Sequence, residues 1–305
     1  MKRAAFLLLI ILFSFGLASA ATIADLSGSL LEQLEEEVYG LKRSGALVER
    51  LADLEVDLTG AEKQGATLTR LFELRDLVFG PGAEALTFQL NALEWHVLKE
   101  QSSLPMSRRL TAIEAAFLGQ TQIGEGSLKQ RVEKLLRAAF GTEKLSTNKA
   151  VLRQWTPVDV ELLTTIDNGK VSPGQLVRYR VIRDVVYAGQ LLIPAGTYGQ
   201  GRIVSVSMAG YFGKSGSVEI DFGTIKALDG TAVPVVPRTK LQEKDEQPLR
   251  LAVGLSMGGL LLTGKLYGAL FGIPVRGNQL LIPQGTELAL EVSEPVEVIG
   301  LVLNN

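Results

Sequence analysis

Few residues in this sequence could perform chemistry. The chain contains no cysteine and one histidine, His96, which follows Trp95. One imidazole without a second histidine or a thiolate does not provide an ordinary zinc site or a histidine-based catalytic triad. The sequence therefore predicts a protein that is not an enzyme and carries no metal or cofactor. It assigns His96 to a helix surface or a helix cap.

Four carboxylates are the remaining candidates for acid and base catalysis: Asp184, Glu219, Asp221 and Asp229. Glu219 and Asp221 alternate with Val218, Ile220 and Phe222, so they fall on the outer face of a strand whose apolar residues face inward. Asp229 precedes Gly230, which is a hairpin-turn pair. We expect these side chains to be solvated and structural, not catalytic.

Four arginines recur one place before an apolar position in the first half of the chain: Arg50, Arg70, Arg109 and Arg131, with Gln89 at the intervening place. Aligned along one surface, they would form a cationic ridge and bind an anionic polymer or another partner. Alternatively, each arginine pairs with a neighbouring glutamate on the solvated face of a helix. The sequence leaves both interpretations open.

These arginines belong to an internal repeat of about 20 residues. Glycines end successive units at positions 40, 60, 80, 119 and 141. Within each unit apolar residues stand three and four apart, which is typical of one face of an α-helix. The terminal glycines suit the left-handed residue that closes a helix. Residues 21–145 are therefore predicted to form short antiparallel helices of about 14 residues each.

The second half changes to the two-residue alternation of β-strands. Its most distinctive feature is a repeated phrase, Ile193-Pro194-Ala195-Gly196-Thr197 and Ile282-Pro283-Gln284-Gly285-Thr286. Proline ends strand pairing, glycine accepts positive φ, and threonine restarts a strand, so each copy predicts a tight corner between strands. We predict an α+β protein: helical repeats, a linker at 146–156, and a small barrel or sandwich over 157–305.

The first twenty residues are typical of a cleavable secretory signal. Lys2 and Arg3 precede an apolar run that ends in Leu17-Ala18-Ser19-Ala20. The alternative is an uncleaved anchor, but the run is shorter than the roughly 20 residues a spanning helix needs. Removal of this leader leaves 29 basic and 33 acidic side chains, a charge balance that does not favour nucleic-acid binding. A periplasmic or cell-envelope location is expected.

An uncharged, glycine-rich insertion is predicted at 251–275, interrupted by Lys265. Its glycines fall at four-residue steps, the spacing that lets membrane helices approach closely. This pattern suggests membrane or oligomer contact through Gly254, Gly258, Gly264, Gly268 and Gly272. The alternative is an apolar excursion packed on the β-core, because apolar runs of about 10–14 residues are usually buried.

A resemblance to a known family covers about residues 158–305. The residues that carry it are Val181-Ile182-Arg183-Asp184-Val185-Val186-Tyr187, Leu192 to Thr197, Gly201 and Ala227-Leu228-Asp229-Gly230-Thr231. This stretch resembles the C-terminal β-barrel of TrbI-like conjugal transfer and type IV secretion channel proteins. It is also similar to small exported domains of bacterial envelopes. The TrbI-like resemblance implies a barrel with an apolar insertion that helps to form an outer-membrane pore, and residues 251–275 fall near that place.

Together these features predict a non-enzymatic scaffold or assembly protein of the bacterial envelope. Its expected partners are envelope proteins or a cell-wall polymer, with outer-membrane association or homo-oligomers as further expectations. Two other functions remain open. One is recognition of peptidoglycan or a surface polysaccharide by the helical repeats. The other is a subunit of an outer-membrane secretion channel.

Overall fold

A computed structural model describes residues 25–119, 124–207, 217–238 and 281–303. The chain divides into two compact units, and both are discontinuous in sequence. The helical unit contains the described residues up to Leu90 and from Leu104 to Lys144; the β unit contains Asn91–Ser103 and the described residues from Leu145 onward. The predicted α+β class is confirmed, with six helices before an antiparallel barrel and sheets in the described part of the chain.

The predicted 20-residue repeat consists of one helix per unit. Helix α1 includes residues 25–39, and the five that follow each contain 13 residues. These are α2 (Leu47–Thr59), α3 (Thr67–Phe79), α4 (Leu86–Leu98), α5 (Met106–Leu118) and α6 (Leu128–Phe140). The residues at three- and four-residue steps are the buried ones, as in Leu51, Leu54 and Leu58 of α2. Burial of this apolar face stabilises helices that are too short to persist alone in water.

The glycines that end the helices differ in conformation. Gly60 and Gly141 take the predicted left-handed form, with φ of 92° and 72°. At Gly119 that prediction is wrong, because its ψ is 162° although its φ is 80°. It is also wrong at Gly80, since the φ of Gly80 is −57° and its ψ is 162°. The cause is Pro81, because proline forces the preceding residue into an extended conformation.

The β unit contains twelve strands in the described residues. They are β1 (Thr147–Leu152), β2 (Pro157–Leu162), β3 (Ile166–Asp167), β4 (Leu176–Val181), β5 (Val185–Tyr187), β6 (Gln190–Ile193), β7 (Tyr198–Ser207), β8 (Ser217–Lys226), β9 (Ala232–Pro237), β10 (Leu281–Ile282), β11 (Glu287–Val292) and β12 (Val296–Val302). A closed barrel has the order β11-β2-β4-β7-β8-β9. A four-stranded sheet, β1-β12-β6-β5, and a pair, β10-β3, complete the unit.

Side chains fill the barrel interior. The alternating apolar residues predicted to face inward are buried, including Val158 and Val160 of β2 and Val218 and Ile220 of β8. Tyr179 is fully buried, and its hydroxyl donates a 2.5 Å hydrogen bond to the Phe222 carbonyl. A Cβ on Gly199 would lie 2.2 Å from the Tyr179 ring, so only glycine fits beside it.

Two boundaries differ from those predicted. Residues 147–152, inside the predicted linker, form strand β1, because they pair along their whole length with β12. Residues 91–103, inside the predicted helical domain, belong to the β unit. The leader at 1–20 and the insertion at 251–275 lie outside the described residues. None of the helices in the described part is long and apolar enough to cross a bilayer.

Candidate functional site

Three of the candidate carboxylates accept hydrogen bonds from nearby groups. The Glu219 carboxylate accepts a bond from the Ser205 hydroxyl at 2.5 Å, and Asp221 accepts one from the Gly223 N–H at 2.9 Å. Asp229 accepts the N–H groups of Thr231 and Ile299 at 3.0 and 2.7 Å. Main-chain donors of this kind fix a turn or a strand end. Among the described residues no group of three or more potential metal ligands is present.

The sequence was expected to contain neither a Ser-x-x-Lys nor a Gly-x-Ser-x-Gly phrase, and that expectation is wrong, because one phrase of each kind is present. Ser146-Thr147-Asn148-Lys149 has the Ser-x-x-Lys spacing. Residues three apart along an extended chain point to opposite faces, and the Lys149 amine donates to Glu297 at 2.6 Å. Gly254-Leu255-Ser256-Met257-Gly258 has the Gly-x-Ser-x-Gly spacing and lies outside the described residues.

The lone histidine lies in the last turn of α4 and is partly buried. Its ring centroid is 6.4 Å from that of Trp95. Burial lowers the pKa of His96, and the nearby Lys99 ammonium lowers it further. The neutral form is therefore favoured near pH 7.

The recurring arginines form ion pairs inside the helical unit. The Arg50 guanidinium donates to both carboxylate oxygens of Glu35, at 2.9 and 2.5 Å. Arg70 pairs in the same way with Glu55 at 2.9 and 2.6 Å, and Arg131 with Glu114 at 2.9 and 2.7 Å. Each pair joins a helix to the next, so pairing with glutamate accounts for three of the four arginines.

These pairs are not on the solvated face, where the alternative interpretation placed them. Glu35 and Glu55 have no exposed surface, and Arg70 is 7% exposed. Burial raises the pKa of Glu55, but the Arg70 guanidinium and the Lys63 N–H more than offset it, and the net pKa lies below 4.5. The fourth arginine, Arg109, is 4% exposed. Partner binding by these arginines stays a prediction, and their burial leaves little guanidinium surface for it.

The acidic and basic positions divide the helices into two sets of three. Helices α1 to α3 carry Glu35, then Arg50 and Glu55, then Arg70; helices α4 to α6 carry Glu94, then Arg109 and Glu114, then Arg131. Between the two sets the glutamate expected on α3 and the arginine expected on α4 are both absent. Arg75 stands at the acidic position of α3, and Gln89 stands at the arginine position of α4. This paired loss is the sequence signal that links the arginine position of one helix to the acidic position of the helix before it.

The two copies of the proline-glycine phrase form equivalent corners in the β unit. We call Ile193–Thr197 the first corner and Ile282–Thr286 the second corner. Gly196 and Gly285 have φ of 85° and 87°. In both corners the glycine N–H donates at 2.8 Å to the last residue of a neighbouring strand, Val181 or Leu162. In both, the threonine hydroxyl donates back to the proline carbonyl, at 2.8 and 2.7 Å.

A side chain three residues beyond each neighbouring strand end binds the residue after the proline. At the first corner the Asp184 carboxylate accepts the Ala195 N–H at 2.6 Å. At the second corner the Thr165 hydroxyl accepts the Gln284 N–H at 3.1 Å. The candidate carboxylate Asp184 is therefore a brace for a turn. The second corner has the same brace without its negative charge.

A helix end and turn pack on the first corner. We call residues 91–103 the cover segment. The Trp95 indole N–H donates to both Asp184 oxygens, at 3.0 and 3.1 Å. The Gln101 amide oxygen lies 3.2 Å from the Thr197 hydroxyl oxygen. A Cβ on Gly196 would lie 2.3 Å from the Glu100 Cα, so main chain packs directly on the glycine.

The second corner is open by comparison. Pro194, Gly196 and Thr197 of the first corner are buried, whereas Pro283 and Gly285 of the second are exposed. Leu192 and Leu281 occupy the same place in the repeated phrase, and their exposures are 0% and 61%. Around Gly285, the described atom nearest a built Cβ belongs to the Glu161 carboxylate, at 3.8 Å. One copy of this turn is covered by the chain itself and the other is not covered by described residues.

The five glycines proposed for membrane or oligomer contact, from Gly254 to Gly272, lie outside the described residues. The second corner was recognised in the sequence as a turn, but not as an exposed surface. Comparison of the chain with protein-family models and with curated proteins finds no match.

Proposed function

We propose that this protein is a non-enzymatic scaffold of the bacterial cell envelope that holds another envelope protein against its β unit. The second corner is the observation that carries this proposal. A turn that shares its glycine and threonine hydrogen bonds with the one that binds the cover segment has an exposed leucine before it and a glycine on which no described backbone packs. Exposed apolar groups on a rigid framework are typical of protein contact surfaces.

The chemical groups of the sequence support the same conclusion. The described candidate carboxylates brace turns or bond a neighbouring strand, and three recurring arginines are bound to glutamates. Groups bound in this way stabilise the fold. A binding role therefore fits the described residues better than acid and base catalysis.

Location is tested by fractionating the producing cells and sequencing the mature N-terminus. We expect the protein in the periplasmic or membrane fraction, beginning at Ala21. The contact surface is tested in the same cells by photo-crosslinking, with a photo-crosslinking amino acid in place of Gln284. Gln175, another exposed turn glutamine before a strand, is the matched control position.

Crosslinked adducts of defined mass should form from position 284 and not from position 175. A cytosolic protein that retains residues 1–20 would contradict the proposed location. Equal adduct patterns from the two positions would contradict the proposed surface.

The two other functions stay predictions. Polymer binding by the helical unit would need anionic groups to compete with buried glutamates for the arginines. A channel subunit depends on residues 251–275, which lie outside the described residues.

A further inference from the structure

We infer that the second corner is a docking site for a helix end and turn of another protein, which packs there as the cover segment packs on the first corner. This inference rests on the proposed function and names the kind of partner. The occupant follows from the first corner, where the same turn already binds such a segment within this chain. The two corners share their φ angle, their glycine N–H bond and their threonine bond.

The open glycine decides what can pack there. At the first corner the Glu100 Cα and the Gln101 nitrogen would lie 2.3 and 2.6 Å from a Cβ on Gly196. This contact needs a main-chain segment, since it brings two backbones together where no side chain fits. No described backbone occupies the equivalent space at Gly285, so a partner's main chain can approach as closely.

The side chain that braces the turn determines whether the partner must present a hydrogen-bond donor or an acceptor. Asp184 is an acceptor and binds the indole N–H of Trp95. Thr165 accepts the Gln284 N–H at the second corner, and its own hydroxyl hydrogen is available to an acceptor. The partner should therefore place a carbonyl or carboxylate oxygen where the cover segment places its indole donor.

The exposed leucine supplies the apolar part of the contact. Leu192 is fully buried within the β-core cluster, whereas Leu281 at the same place in the repeat is 61% exposed. An apolar side chain from the partner would remove Leu281 from water. Small contacts of this kind are weak, and we expect a dissociation constant on the order of 10–100 µM for an isolated peptide.

The test uses the full mature protein and two synthetic peptides with capped ends. One has the sequence of residues 86–103, and the other carries Trp95→Leu in that sequence. Fluorescence anisotropy measures binding to the unaltered protein, to Leu281→Asp and to the control Leu176→Asp. Leu176 is 54% exposed on β4, so both aspartate variants should fold.

We expect the Trp95→Leu peptide to bind the unaltered protein and the Leu176→Asp control at least as well as the native peptide does. Leu281→Asp should weaken binding about tenfold or more, because it places a charge in the apolar contact. No binding at millimolar concentration, or binding that Leu281→Asp leaves unchanged, would overturn the inference.

Two further results would also overturn it. Binding that is lost on Trp95→Leu would show that the peptide displaces the cover segment at the first corner. Self-association of the protein that Leu281→Asp abolishes would assign the site to a second copy of this chain. The binding assay does not depend on cell location, so its failure is distinguishable from a failure of the envelope proposal.

Discussion

Replacing Arg70 with methionine should destabilise the helical unit far more than removing a surface charge. Arg70 donates to both oxygens of Glu55, which has no exposed surface. Without the guanidinium, the carboxylate keeps the Lys63 N–H at 3.0 Å as its one remaining donor among the described bonds. Leaving such a charge uncompensated costs about 3–5 kcal/mol.

The matched control is Glu73→Gln, which removes the Lys63–Glu73 pair. That pair is as short, at 2.6 Å, but its side chains are 39% and 51% exposed. Solvent already screens it, so its loss should cost less than about 1 kcal/mol. Urea unfolding of the full chain, followed by far-ultraviolet circular dichroism, measures both losses of helix.

A double variant distinguishes the cost of an unpaired buried charge from the cost of lost side-chain packing. Glu55→Leu combined with Arg70→Met leaves no buried charge at this site, and we expect most of the lost stability to return. The chain contains its own precedent, since the pair is missing at α3 and α4, where Arg75 and Gln89 stand. Equal destabilisation by Arg70→Met and Glu73→Gln would refute this reasoning.

Acid provides a second test of the same pair. The folded pKa of Glu55 is lowered below 4.5, so its ionised form stabilises the fold above the unfolded pKa. That contribution is lost as pH falls through the folded pKa. The stability difference between the unaltered protein and Arg70→Met should therefore shrink below about pH 4.

Three further predictions concern the β unit, each measured by thermal or urea unfolding of the full chain. Gly196→Ala and Gly285→Ala should each lower the free energy of unfolding by about 1 kcal/mol, because alanine is strained at positive φ. Gly196→Ala should cost roughly 1–3 kcal/mol more, because its Cβ displaces the cover segment. Equal losses in the two variants would contradict that packing. Tyr179→Phe should cost about 1–3 kcal/mol, because a buried carbonyl loses its donor. Burial raises the pKa of Tyr179 above 10, so its contribution is present below pH 10 and declines above it; the phenylalanine variant should therefore show a flatter alkaline loss. Trp95→Phe should cost about 1 kcal/mol through the lost indole bond, whereas Trp155→Phe, at a side chain 49% exposed, should cost nearly nothing.

The local features of this fold could be predicted from the sequence, because they depend on residues near one another. The helix period follows from apolar spacing, and the two corners follow from a proline, a glycine and a threonine in fixed order. The conformation of Gly80 also had a local cause, Pro81, which the analogy with the other glycines concealed.

The contacts between distant residues could not be predicted in the same way. Glu55 and Arg70 stand on different helices, so the apolar period of one helix does not reveal their pairing. Asp184 was noticed as a candidate acid, but its partner Trp95 lies 89 residues away. The difference between the two corners depends on which segment packs on each, whereas the repeated phrase itself differs only at its third residue, Ala195 or Gln284.

The position of the cover segment within the gene determines how the protein can be divided. A truncation at residue 145, between the last helix and the first strand, would separate residues 91–103 from the β unit to which they belong. The C-terminal piece would expose Gly196 and leave the Leu228 carbonyl without the Asn91 amide that now donates to it at 2.8 Å. The ribosome also makes these residues before Asp184, Gly196 and Leu228, so the nascent helix end waits until these partners have been made.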